Sequence, residues 1–329
     1  MMIVVDNIMT DLLKIPYSLL RPLYEKTSLH RGVISELSDA ELRMAYSHCR
    51  AITRTHAKTF YMATRFLPYH KQRSIFAIYG LCRYLDDLVD EAEDLIFQKK
   101  ISRVEVFERL ESFKKKLVNT YRGEEHDDPI LVAFADVLNR YSISIELPLT
   151  LLDGVSSDLT KNRYENFKEL YDYSYKVASV VGLMTSEIFG YKSKKALEHA
   201  VDLGIAMQLT NILRDIGEDL RKDRIYIPQE DLIRFDITED DLFSYEISGN
   251  FIEMMKFQIE RAESYYESAE KGVPMLNRDS RIPVMLAKEN YSRILSKIQE
   301  NNYQVFNQRA YLNSTEKFSI LPKVILRLR

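Results

Sequence analysis

From Leu81 to Arg122 the chain contains neither glycine nor proline, and from Asn250 to Lys271 the same is true. These two residues are the usual punctuation of turns, so long unpunctuated stretches favour helices over a strand-and-turn architecture. Across 329 residues there are only 10 glycines and 9 prolines. No alternating strand run and no internal repeat of fixed period is present, and the fold class expected is all-α. With 46% apolar residues the chain can build one large core.

The helical pattern can be followed along the sequence. Residues 1–38 read as an N-terminal extension interrupted by Pro16 and Pro22, and residues 39–329 as one helical domain. Ser38 followed by Glu41 predicts a capping box opening a helix that carries Leu42, Ala45, Tyr46 and Cys49. After Pro68, a helix from Gln72 to about Glu91 is apolar almost all round, which places it deep in the core. Further helices are expected at 104–118, 130–142, from Pro148 through Asp153, at 166–190 with a break or tight packing at Gly182, and at 194–221. Beyond Pro228 they follow at 229–235, 239–245, 249–271, 280–301 and 315–328.

Net charge is −3 with 29% charged residues, so no basic surplus points to nucleic acid. Cys49 and Cys82 are too few for a disulfide framework or a Cys-based zinc site and suit a reducing cytoplasm. The apolar triplet Ile3-Val4-Val5 is too short for a signal peptide, and no run approaches the roughly 20 apolar residues of a membrane span. A cytoplasmic protein, soluble or peripheral at a membrane surface, is expected. The tail from Phe318 to Arg329 is apolar and basic, and would either lie on a membrane or pack on the protein's own helices.

The chemistry is concentrated in two segments. Asp86 and Asp90 lie four apart, so a helix presents them on one face. Asp215 and Asp219 repeat that spacing, with Glu218 alongside, Asn211 one turn earlier and Gln208 about one turn before that. Like charges at this spacing destabilise a helix by about 0.2–0.5 kcal/mol even when exposed, and by more within an apolar helix. Hard oxygen ligands suit Mg²⁺, which keeps waters and bridges to substrate phosphates. Arg83 and Arg214 stand beside the clusters as bidentate forks for phosphate oxygens. One D-x-x-x-D is ordinary on a solvated helix face. Two, each inside a nearly apolar helix and each beside an arginine, point to a metal–diphosphate site.

At these residues the sequence resembles the squalene/phytoene synthase family. Ala77 to Arg83 leading into Asp86-Asp87-Leu88-Val89-Asp90 is similar to the family's first aspartate-rich motif. Gln208 to Asp219, continuing to Arg224-Ile225-Tyr226-Ile227-Pro228, is similar to the second. Ala57-Lys58-Thr59-Phe60-Tyr61, Arg163 to Phe167, Glu270 to Val273 and Gln308-Arg309-Ala310-Tyr311 resemble the phytoene synthase branch, whereas Ser179 stands where that branch often has glycine.

The resemblance implies an isoprenoid synthase fold, a single helical domain around a central substrate cavity. It implies that Asp86, Asp90, Asn211, Asp215 and Asp219 hold Mg²⁺, with Mn²⁺ as an alternative. His56, Lys58, Thr59, Tyr79, Arg83, Gln208, Arg214 and Tyr291 would contact prenyl diphosphate substrates, and Phe60, Val177, Val181, Leu183, Met184, Ala206 and Leu209 would line a channel. The implied reaction joins two geranylgeranyl diphosphates head to head, through a cyclopropylcarbinyl diphosphate, to phytoene, with no NADPH. A farnesyl diphosphate enzyme of the squalene or dehydrosqualene type and a non-catalytic assembly factor of the same fold are the alternatives.

Overall fold

The computed structural model describes residues 28–97 and 101–327. Among them there is no β-strand, only isolated bridges between Arg163 and Ile225 and between Tyr191 and Leu276. The expectation of an all-α fold is met. Of the expected extension, residues 1–27 lie outside the described residues. A first short helix, α1 (Ser28–Ser35), buries Val33 and is held to the body where Arg73 donates to the Val33 carbonyl at 2.7 Å.

The next helices form the first half of the core. They are α2 (Ala40–His56), α3 (Lys58–Thr64), α4 (Tyr69–Phe97), α5 (Arg103–Tyr121), α6 (Pro129–Arg140) and α7 (Glu146–Ser157). Helix α2 is capped by Asp39, whose carboxylate accepts from the Leu42 amide at 2.9 Å, one residue later than the expected Ser38 box. An ionised carboxylate is the stronger acceptor for an orphan amide, and it wins the position. Helix α4 starts at Tyr69, right after Pro68, and buries Ile75, Phe76, Ile78, Leu81 and Leu85, as its all-round apolar pattern requires. Asp128 caps α6 with Pro129 at its first position. Helix α7 begins at Glu146, so Pro148 sits inside its first turn rather than opening it.

The stretch 166–190 is broken, but not at Gly182. Helix α8 (Phe167–Ser174), capped by Asn166, runs into a π-helical turn at Tyr175–Ser179 before α9 (Val180–Phe189). Single π turns mark positions where the side-chain register is re-aimed. Here the turn brings Val177 and Ala178 to a cavity wall.

Helix α10 (Lys195–Arg221) is the central strut, followed by α11 (Gln229–Arg234), α12 (Glu239–Phe243), α13 (Gly249–Gly272), a 3₁₀ turn at Val273–Met275 and α14 (Arg278–Glu300). Two buried apolar clusters result. One is built on α2, α4, α6, α7 and α9, the other on α10, α13 and the loop around Phe306. Tyr175, Val177 and Leu203 touch both. The tail forms α15 (Ser314–Ser319) and α16 (Leu321–Arg327), which bury Ile320 and Val324, while Arg327 pairs with Glu289 of α14 at 3.0 Å. Of the two fates open to the tail, packing on the protein's own helices is the one observed.

Candidate active site

Between the two clusters lies a cavity of about 580 Å³. One face of α10 lines it from end to end: Ala196, His199, Ala200, Leu203, Gly204, Met207, Gln208, Asn211, Arg214 and Asp215 all reach it. This three-and-four spacing is the stripe a single helix face presents. Opposite stand Tyr79, Arg83 and Asp86 of α4, Phe60, Ala63 and Thr64 of α3, and Tyr291 of α14. The two segments singled out in the sequence therefore face one another across one chamber.

The polar end combines acid with base. Asp215 is gripped by two guanidiniums. Arg214 donates to it at 2.8 and 2.5 Å, and Arg309, from the loop after α14, at 2.8 and 2.9 Å. Burial alone would raise the Asp215 pKa, but these two forks outweigh it and hold the carboxyl below its usual range. Arg83 pairs with Asp87 on its own helix, and its Nε is buried without a partner among the described residues. Tyr79 has its phenol pushed up by burial first and by the neighbouring Tyr291 second, so its hydroxyl stays a protonated donor.

Asn211 answers whether this end suits a hard cation. Its Oδ1 is buried and has no hydrogen-bond partner among the described residues, while its Nδ2 reaches Gln208 at 3.4 Å. A buried oxygen acceptor left unpaired is unfavourable by about 1–3 kcal/mol unless something satisfies it. Together with the exposed carboxylate of Asp86 and that of Asp215, it makes an all-oxygen donor set that fits Mg²⁺. No three His, Cys, Asp or Glu side chains converge on one point among the described residues. The Asp90 side chain lies outside those described.

Other expected residues fall elsewhere. Asp219 lines a separate small pocket with Leu220, Arg224 and Tyr226. Its pKa is pushed up to about 8, by burial first and by the charge of Asp215 second, with Arg224 opposing. His56 and Lys58 are exposed and Thr59 partly buried, at the junction of α2 and α3, and none of the three lines the cavity. Lys58 does face Lys317 of α15, whose pKa is lowered by burial first and by Lys58 second. Of the expected channel residues, Phe60, Val177 and Val181 line the wall. Met184, Ala206 and Leu209 are packed core instead, and Leu183 stays off the wall.

The apolar reach of the cavity is drier than its composition suggests. Thr64, Thr185 and Ser186 border it, yet each hydroxyl donates back to a carbonyl of its own helix at 2.8, 3.0 and 2.7 Å. Asp158 accepts from Tyr173 and Tyr226, each at 3.0 Å, and Tyr164 stacks on Tyr226. This tyrosine–aspartate group, with Asp158 and Tyr173 on the cavity wall, carried no signal in spacing, because its members come from four separate segments. Arg309 likewise sits in a loop without periodicity.

The comparisons with known proteins agree with this geometry. The sequence profile described as Squalene/phytoene synthase matches residues 53–316. The chain is 40% identical over 300 residues to the 15-cis-phytoene synthase of Synechococcus elongatus, covering 88% of this chain and 94% of that protein. It is 38% identical to phytoene synthase 1, chloroplastic, of Zea mays, over 85% of this chain and 68% of that protein. Among solved structures, a dehydrosqualene synthase in complex with ligand superposes with a TM-score of 0.80 at 28% identity, covering 88% of this chain and 98% of that one. Squalene synthase HpnC from Alicyclobacillus acidocaldarius shares the fold, with a TM-score of 0.74 at 24% identity over 83% of this chain and 100% of that one. The helical architecture is thus the isoprenoid synthase fold. With its two acidic helices facing across a half-polar, half-apolar chamber, the chain belongs to the squalene/phytoene synthase family.

Proposed function

We propose that the protein is a prenyltransferase that condenses two geranylgeranyl diphosphates head to head to give phytoene, in carotenoid biosynthesis. The observation that carries the reading is the single chamber that joins a cationic and acidic end to a long apolar run along α10. At a rise of about 1.5 Å per residue, His199 lies about 18 Å from Asn211 along that helix. Two acyl chains tail to tail fill about 30 Å of bilayer core, so one such chain needs about 15 Å. A prenyl tail is of that order of length. Relatives at about 40% identity that are phytoene synthases support the C20 substrate over the C15 one.

Asp86, Asn211 and Asp215 would hold Mg²⁺ (or Mn²⁺), with Asp90 and Asp219 as further ligands from the ends of the two clusters. When bound, the ion supplies Lewis-acid stabilisation of the departing diphosphate. Arg83, Arg214 and Arg309 would meet its non-bridging oxygens, and Tyr79, Tyr291 and Gln208 would donate to it. Lys58, with His56 and Thr59 behind it, would draw the second diphosphate to the mouth. In the apolar run, water is excluded from the allylic cation by Phe60, Val177, Val181 and Leu203. Residues 39–329 would make up the catalytic domain. No helix among the described residues is long and apolar enough to cross a membrane; delivery of a lipid product would call for peripheral contact with one from a cytoplasmic protein.

A farnesyl-using enzyme is the second reading, favoured by the squalene and dehydrosqualene synthases among the structural neighbours. The test is product analysis with C20 or C15 diphosphate, with Mg²⁺ or chelator, and without NADPH. Mg²⁺-dependent phytoene from the C20 substrate is the expected result. Product from the C15 substrate alone moves the protein to the squalene-type branch. Turnover of neither refutes catalysis and leaves an assembly factor.

A further inference from the structure

The Asp215 carboxylate has no lone pair to spare. Its Oδ1 accepts from Nε of Arg214 and from Nε of Arg309, each at 2.8 Å. Its Oδ2 accepts from Nη2 of the same two residues, at 2.5 and 2.9 Å. A carboxylate offers about four lone-pair sites, and these bonds take them all. Two guanidiniums on one carboxylate also leave a surplus of positive charge, which repels a cation. Neither arginine can relieve this by giving up a proton. For Asp215 to ligate a metal, one fork has to move.

The two are not equally free to do so. Arg214 is next to Asp215 on α10 with 15% of its side chain exposed, whereas Arg309 has 58% exposed. The backbone around Arg309 is pinned. Phe306 and Ala310 are each 1% exposed, and the Phe306 carbonyl accepts from Arg221 at 3.4 Å. The movement therefore belongs to the Arg309 side chain and not to its loop. A space of about 150 Å³ borders that side chain, and Arg214 and Asp215 line both this space and the main chamber.

We propose that Arg309 keeps the metal's place on Asp215 and yields it only when a diphosphate arrives to take over its fork. The inference rests on the proposed prenyl diphosphate reading and deepens it, by naming how the same site is loaded. Phosphate oxygens meet a guanidinium in the same two-pronged way as a carboxylate, so Arg309 exchanges one bidentate partner for another. Asp215 is then released as a ligand. Cation and diphosphate bind as a coupled pair, each tightening the other by the same factor.

The test uses the full-length protein and needs no turnover. Mn²⁺ is titrated alone and with inorganic diphosphate, free ion is read by electron paramagnetic resonance, and a protein-free titration is subtracted. The wild type is expected to bind Mn²⁺ weakly alone and roughly tenfold or more tightly with diphosphate. Arg309→Ala is expected to tighten the binding of Mn²⁺ alone by roughly tenfold and to weaken that of diphosphate, so the coupling collapses. Arg309→Lys keeps the charge but not the fork, which returns lone pairs to Asp215, and should also tighten Mn²⁺ alone. A gain in one affinity with a loss in the other is not what a general loss of stability produces. Tightening in the alanine variant only marks a plain charge effect and overturns the placeholder role. Unchanged Mn²⁺ affinity in both variants overturns it as well and leaves the proposed function standing. A wild-type protein that binds no Mn²⁺ even with diphosphate refutes the proposed function, and the inference with it.

Discussion

Replacing Gly217 with alanine should disconnect Arg309 from Asp215 without touching either residue. Gly217 lies on α10 between the two aspartates of the second cluster, and the loop that carries Arg309 rests directly on it. An alanine Cβ there would stand 2.5 Å from the Phe306 Cα and closer still to its carbonyl oxygen, both backbone atoms that no rotamer change can remove. Ordinary contact begins at 3.4 Å, so the loop must retreat by about 1 Å. Both Arg309 hydrogen bonds, now 2.8 and 2.9 Å, would then exceed the range of a useful bond.

Alanine gains up to about 1 kcal/mol over glycine inside a helix. Overpacking costs about 1–3 kcal/mol, and a backbone obstacle puts this site at the top of that range. The net expectation is a destabilisation of about 2 kcal/mol, seen as a lower denaturation midpoint. A displacement of about 1 Å in a catalytic arrangement lowers turnover by about a hundredfold. The decisive assay is a double-mutant cycle with Arg309→Ala. Because both changes act through one contact, their effects on kcat/KM must not add. Additive effects, or a Gly217→Ala enzyme with normal turnover, would refute the reasoning.

Further outcomes are expected. Asp158→Ala removes the acceptor of the buried Tyr226 hydroxyl and leaves Tyr173 only its 3.5 Å bond to Tyr226, and should lower stability by about 1–3 kcal/mol, read from chemical denaturation. The Asp219 carboxyl keeps its proton in the folded chain up to about pH 8 but loses it near 3.8 when unfolded, so the unfolded state binds fewer protons between those values and stability falls as pH rises through them. In metal-free protein the melting-temperature advantage of Asp219→Asn should therefore grow across that window, and a pH-independent difference would count against the assignment. A non-hydrolysable prenyl diphosphate analogue at a hundred times its Kd should stabilise the protein by about 2.7 kcal/mol with Mg²⁺ and by far less with chelator. Asn211→Leu, which removes the unpaired oxygen, should raise the Mg²⁺ concentration needed for half-maximal activity while leaving the apo-protein's melting temperature intact or higher.

The parts of this molecule that were readable in advance share a property: they are local in sequence. Four-residue spacing brings Asp215 and Asn211 to one helix face whatever the rest of the chain does, and the all-round apolar character of α4 requires its burial. Arg83, Arg214, Tyr79, Gln208 and Tyr291 also reach the same chamber. What was hidden depends on contacts between distant segments. Arg309 meets Asp215 from a loop 94 residues away, and the Tyr173–Asp158–Tyr226 group closes only when α7, α8 and the strand-like segment after α10 come together. Spacing alone also does not show that Asp219 shares a small pocket with Arg224, because successive helical positions four apart drift around the axis. The π turn at Tyr175–Ser179 had no residue signature either, since Gly182 offered the more obvious breaking point.

The same helix carries both the diphosphate end and the apolar stripe of the chamber, and this restricts how the enzyme can evolve. Gaining or losing one residue between Ala196 and Asn211 would rotate one end against the other by about 100° and turn the stripe out of the chamber. A loop absorbs small insertions, but here they would misalign the two halves of the site. A lineage that reshapes this wall must do so by exchanging one side chain for a larger or smaller one in place.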